Sequence, residues 1–135
     1  MNVLCMRPIK KYWALTQMTR YGIEAMGLQC FAKTNYTWGL TSVRLPKEVD
    51  GQNLLKYLAK NFNLYIAGGQ DHLKGRIIRI GHMGDVDFGD ILFALCAISE
   101  ALESLYHIKP LNRDFLEQAF SKYRDTLDMG YPGSE

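Results

Sequence analysis

The chain has 135 residues, 47% hydrophobic and 22% charged, the composition of one folded domain with a core of its own rather than of a disordered segment. Its 16 basic and 14 acidic residues leave a formal charge of +2, which gives no reason to expect nucleic acid or a membrane surface as partner. Cys5, Cys30 and Cys96 are scattered, without ligand or redox spacing, and read as reduced thiols of a cytoplasmic protein, Cys96 being a small core residue inside an apolar helix. No run reaches the ~18 apolar residues of a membrane span. The N-terminus, MNVLCMRPIKKYW, lacks the basic start, apolar run and cleavage site of a secretory signal.

In chain order, a helix is expected from after Pro8, which suits a first turn, to about Met26, with Gly27 as its left-handed stop and Gly22 as a weak point. Residues 28–32 can form a short strand and 33–39 read as a loop. Leu40–Leu45 is a strand by composition, ended by Pro46. Asp50 caps a helix to about Asn61 whose stripe is Leu54, Leu55, Leu58 and Phe62. A short strand over 64–67 is broken by Gly68-Gly69, and a second covers 76–80. Asp87, with Asp90 three residues on, opens the clearest helix, striped by Ile91, Leu95, Ile98, Leu102 and Leu105. After Pro110, a last helix opens at Asn112 or Arg113 and presents Phe115, Leu116, Ala119, Phe120 and Tyr123. The order α, β, α, β, β, α, α predicts a two-layer α+β domain, its helices packed on a small, mostly antiparallel sheet.

The chemistry concentrates in IAGGQDHLKGRIIRIGHMG, residues 66–84, which holds five of the twelve glycines together with His72, Lys74, Arg76, Arg79 and His82. Glycines permit tight turns and close backbone approach, and cations beside them can hold a carboxylate or phosphate. A glycine-rich hairpin with solvated charges fits the spacing as well and is favoured by it. Neither GxxxxGK[ST] nor a strand-to-helix GxGxxG is present. Arg79 alternates with Ile78 and Ile80, so it points to the face opposite both; there a guanidinium can grip a carboxylate through two parallel bonds, although pattern alone favours a surface arginine. His72 and His82 lie outside metal-ligand spacing and read as structural histidines. Ser42 and Ser99 have no adjacent base to mark a nucleophile. Asp85, Asp87 and Asp90 read as a helix-cap cluster, and the aromatic residues at 12, 13, 36 and 38 as core or interface.

The run from Leu40 to Leu102, with its GG–LKG–RIGHMG segment and the Asp-capped apolar helix after it, resembles the small domain of class V aminotransferases. That family includes alanine–glyoxylate and serine–pyruvate aminotransferases and relatives labelled soluble hydrogenase subunits. MTRYGIEAMGLQCFA is similar to the family's helix and Gly-Leu turn, so the resemblance covers about residues 9–106; residues 107–135 are an added helix and tail on a single domain spanning 1–135. The resemblance implies the small, C-terminal domain of a dimeric fold type I enzyme. In such an enzyme a large domain binds pyridoxal phosphate through a lysine, and an arginine at the position of Arg79 binds the α-carboxylate of the amino-acid or oxo-acid substrate.

The chain also departs from the family. None of its nine lysines stands in the matching context, the phosphate loop and the acid for the pyridine nitrogen are missing, and Asp71 replaces a frequent glycine. The implied partner is therefore a large pyridoxal-phosphate-binding domain or parent chain, with no cofactor and no activity expected of this chain alone. The alternative is a non-catalytic interaction or homodimerisation module derived from that domain.

Overall fold

The computed structural model describes residues 3–32 and 38–130, with side chains from residue 9 onward. The expected loop at 33–37, Tyr36, the side chain of Cys5 and the tail after Gly130 lie outside them. Helix α1 spans Val3–Ala25 and so begins before Pro8, which falls in its second turn. Its other end is as expected. Gly27, at φ +95°, donates its N–H to Glu24 O at 2.9 Å, and Leu28 N–H reaches Ile23 O at 3.1 Å, so two carbonyls left open by the last turn are satisfied.

Strands β1 (Gln29–Cys30), β2 (Leu40–Arg44), β3 (Ala67–Gly68) and β4 (Ile77–Gly81) form one antiparallel sheet in the order β1-β2-β4-β3. The outer strands are shorter than the apolar runs around them. In the third, Gly68, expected as a break, is a strand residue paired with Ile78, while residues 64–66 are irregular. Between and after the strands come helices α2 (Gly51–Phe62), α3 (Phe88–Tyr106) and α4 (Phe115–Met129). The side chain of Asp50 accepts Gln52 N–H at 3.0 Å, capping α2. Asp87 and Asp90 form a reciprocal capping box on α3, at 3.0 and 3.1 Å. The last helix starts at Phe115, after Asp114, not at Asn112 or Arg113. Asn112 is drawn instead to α1, where its backbone and side-chain N–H groups both reach Ala25 O at 3.0 Å.

Register divides the sheet into two unlike faces. Thr41 opposes Ile80 and Val43 opposes Ile78, all buried, and this face joins Leu15 and Met18 of α1, Leu54 and Leu58 of α2, and Ile91, Leu95 and Ile98 of α3 in one core. Leu40, Ser42, Arg44, Arg79 and Gly81 stand on the other face and are not buried, whereas Ile77, paired with Arg44 at its end, is. The helices therefore pack on one side only, as the two-layer expectation required, and α4 lies along α1. One core assignment is corrected: Cys96 is exposed. The buried positions of α3 are Ile91, Ala94, Leu95, Ala97, Ile98, Ser99, Ala101 and Leu102, and the helical period carries Cys96 to the outside with Phe93 and Glu100.

Candidate functional site

Arg79 sits at the centre of the open face, half-buried, with Ser42 opposite it on one neighbouring strand and Ala67 on the other. Its Nε donates to the Gly68 carbonyl at 2.7 Å. That bond restrains the guanidinium and engages its Nε edge, leaving the edge made by the two terminal nitrogens for a two-pronged grip, and no carboxylate among the described residues pairs with it. The Gly68-Gly69 pair makes the arrangement possible. A Cβ on Gly68 would press Leu55 of α2 at 3.1 Å, and one on Gly69 would stand 2.3 Å from Leu73 O. Only glycine lets β3 lie this close to both neighbours.

Arg79 lines a hollow of about 420 Å³ together with Leu40, Tyr65, Ile66, Val86, Asp90 and Ile91. That size is in the range of small-molecule sites, ~300–1,000 Å³. Tyr65, 77% exposed, and Leu40, 36% exposed, add apolar surface to its lining. Asp90 is the acid among the lining residues, and its Oδ2 is held by Asp87 N–H in the cap. The arrangement can orient a carboxylate; nothing in it supplies a nucleophile and base.

The other residues of the glycine-rich segment go elsewhere. Lys74 and Arg76 line a different hollow. His72, read as a structural histidine, is exposed on a 3-10 turn, Asp71–Leu73. Asp71 adopts φ +54°, a left-handed conformation that explains why glycine suits this place and that aspartate tolerates better than most residues. His82 is fully buried, as the structural reading required. Its Nε2 lies 2.9 Å from Thr41 Oγ1, its Nδ1 lies 3.5 Å from Thr16 Oγ1, and the Trp38 carbonyl, which also accepts from Thr16, is close by. Burial lowers its pKa to about 4, against the opposing pull of the backbone hydrogen bond at Trp38. Trp13 packs on Trp38 with ring centroids 4.6 Å apart, both rings half-buried and outside the central core. The sequence did not reveal Ser42, Asp90 and Tyr65 as neighbours of Arg79. Strand register and the turn after α2 bring them together, and only an alternating pattern at Leu40–Arg44 hints at the first.

No protein-family model matches the chain. It is 37% identical over 98 residues to an uncharacterized aminotransferase of Methanocaldococcus jannaschii, covering 72% of this chain and 26% of that protein. It is 36% identical over 96 residues to the small subunit of a soluble hydrogenase of Synechococcus, covering 71% and 25%. The chain thus spans about a quarter of the length of these curated relatives. Among solved structures, ureidoglycine–glyoxylate aminotransferase of Bacillus subtilis superposes with a TM-score of 0.79 at 26% identity, over 85% of this chain and 30% of that one. Pyridoxamine–pyruvate aminotransferase of Mesorhizobium loti gives the same TM-score at 24% identity and the same coverage, a likeness of fold alone. Sequence relatives and structural neighbours together place this chain, as a partial, C-terminal-like portion of the fold, in the class V, fold type I aminotransferase family.

Proposed function

We propose that this chain is the small domain of a pyridoxal-phosphate-dependent aminotransferase of the alanine–glyoxylate or serine–pyruvate type, and that Arg79 binds the substrate's α-carboxylate. The observation that carries the reading is the placement of Arg79. It stands half-buried on the sheet face opposite Ile78 and Ile80, tethered through Nε to Gly68, and lines a hollow of small-molecule size. An arginine so held has lost most of its rotamer freedom before a ligand arrives, which favours the orientation of a carboxylate over mere attraction.

The cofactor implied by the family does not fit these residues alone. No lysine lines the hollow among the described residues, and none of the described lysines is buried. Pyridoxal phosphate and its chemistry therefore belong to a large domain, and this chain's part is binding and orientation. The exposed apolar surface at Leu40 and Tyr65 supports cover by such a domain. In the complete enzyme, Arg79→Leu is expected to raise the amino-acid KM about 10- to 100-fold, the loss of a charge-assisted pair. Arg79→Lys should recover only part of it, because an ammonium lacks the planar fork. An unchanged KM in Arg79→Leu removes this arginine from the substrate site.

A further inference from the structure

A second hollow, of about 530 Å³, lies beside the turn that leads into β4, and four cations line it: Arg44, Lys47, Lys74 and Arg76. Lys74 has φ −60° and ψ 126°, Gly75 has φ +80°, and Arg76 N–H bonds Leu73 O at 3.0 Å, which together make a type II turn. Lys74 and Arg76 thus flank a glycine whose conformation other residues adopt only under strain. The turn is tied down on both sides. Gly51 N–H, at the start of α2, holds Gly75 O at 3.0 Å, and Leu45 N–H, at the end of β2, holds Arg76 O at 2.9 Å. These bonds bring Arg44 and Lys47 beside Lys74 and Arg76. Arg44 is steadied over the Phe31 ring, 5.1 Å from its centroid. One acid, Asp50, lines the hollow, and its carboxylate is engaged in capping α2.

Four cations against one carboxylate is an imbalance that no other lining residue offsets, in a chain whose net charge is only +2. Like charges crowded in one concavity repel, and an anion relieves the repulsion. The geometry points to a binding site for a small phosphate-bearing anion in this hollow, separate from Arg79 and outside the aminotransferase reading. A small ligand is favoured over a macromolecule because the four cations line one concavity whose volume is that of a small-molecule site. Two guanidiniums and two ammoniums match the several oxygens of a phosphate ester or diphosphate better than a single carboxylate.

Titration of the 135-residue chain with inorganic diphosphate, followed by amide NMR at low salt, tests the site. Saturable shifts centred on Gly75 and Arg76 are expected, with Arg44→Gln and Arg76→Gln each weakening binding about tenfold, roughly the worth of one charge-assisted contact. All four cations are exposed, so the amide spectrum of each variant should otherwise match the parent. Lys60→Gln, an exposed charge away from the hollow, should change nothing. Absence of shifts up to ~10 mM diphosphate overturns the site. So does equal weakening in Lys60→Gln, which would reduce the binding to general charge attraction. Shifts at this hollow with an acidic peptide but not with diphosphate would assign the surface to a protein partner and likewise overturn it.

Discussion

At the scale of single residues, His82 and Arg79 are three positions apart on one segment and have opposite fates. Arg79 points from a strand to the open face, whereas His82, just past the end of that strand, falls by alternation on the side of Ile78 and Ile80 and is fully buried. A buried imidazole stays neutral unless a carboxylate compensates its charge, and the groups around it are hydroxyls and a carbonyl. Its folded pKa, about 4, therefore lies below the ~6.5 of an exposed histidine. Between those values the unfolded chain binds a proton that the folded chain does not, so acid favours unfolding. This group's contribution should be fully present above about pH 6.5 and fall away as pH drops toward 4, by at most about 3 kcal/mol. Urea unfolding at a series of pH values measures it. His82→Asn should be less stable at pH 7 yet show a shallower decline over that range; a parallel decline would assign the acid sensitivity to carboxylates instead.

At the scale of elements, helix starts are held by short polar signals that act over three or four residues. In α3, Asp87 accepts Asp90 N–H and Asp90 accepts Asp87 N–H, so two amides without helical partners are satisfied at once. Asp87→Ala should cost about 0.5–2 kcal/mol, the usual worth of such a cap, read as a shift in the unfolding midpoint. Asp85→Ala, a neighbour with no part in the box, should cost much less; equal losses would make net charge rather than capping the cause. Because such signals are local, Asp50, Asp87 and the Gly27 stop could be read directly, and so could the stripe of α3. The two-residue strands could not. Ala67–Gly68 is extended because β4 lies beside it, and that partner is ten or so residues away with a turn between. The same dependence on register separated Arg79 from Lys74 and Arg76, which one glycine-rich segment seemed to present together. Cys96 was misplaced for a simpler reason: in a helix this apolar, composition does not mark the outward face, and only the packing partners do.

At the scale of the whole molecule, the residues after 112 matter more than their place outside the family resemblance suggests. Helix α4 lies along α1, with Phe115 and Ala119 buried in the common core. Three helices meet at Gly22. A Cβ there would stand 2.5 Å from Leu95 Cδ1 of α3 and 3.2 Å from the Ala119 Cβ of α4. From the sequence Gly22 reads as a weakness of α1, whereas in the fold it is the contact that lets α1 approach both neighbours. The two effects can be weighed. Gly22→Ala gains about 0.5–1 kcal/mol of helix propensity, the whole effect on an isolated helix. Against this, Leu95 has no exposed surface and cannot swing aside into solvent, and Ala119 can yield only if α4 moves. Overpacking of this kind costs about 1–3 kcal/mol. The clash therefore outweighs the propensity, and Gly22→Ala should lower the unfolding midpoint despite a more helical sequence. Pairing it with Leu95→Ala separates the causes: the double variant should lose less than the sum of the two single losses, because the second change makes room for the first. Simple additivity would mean that α1 and α3 part easily and that the contact at Gly22 does not set the stability of the domain.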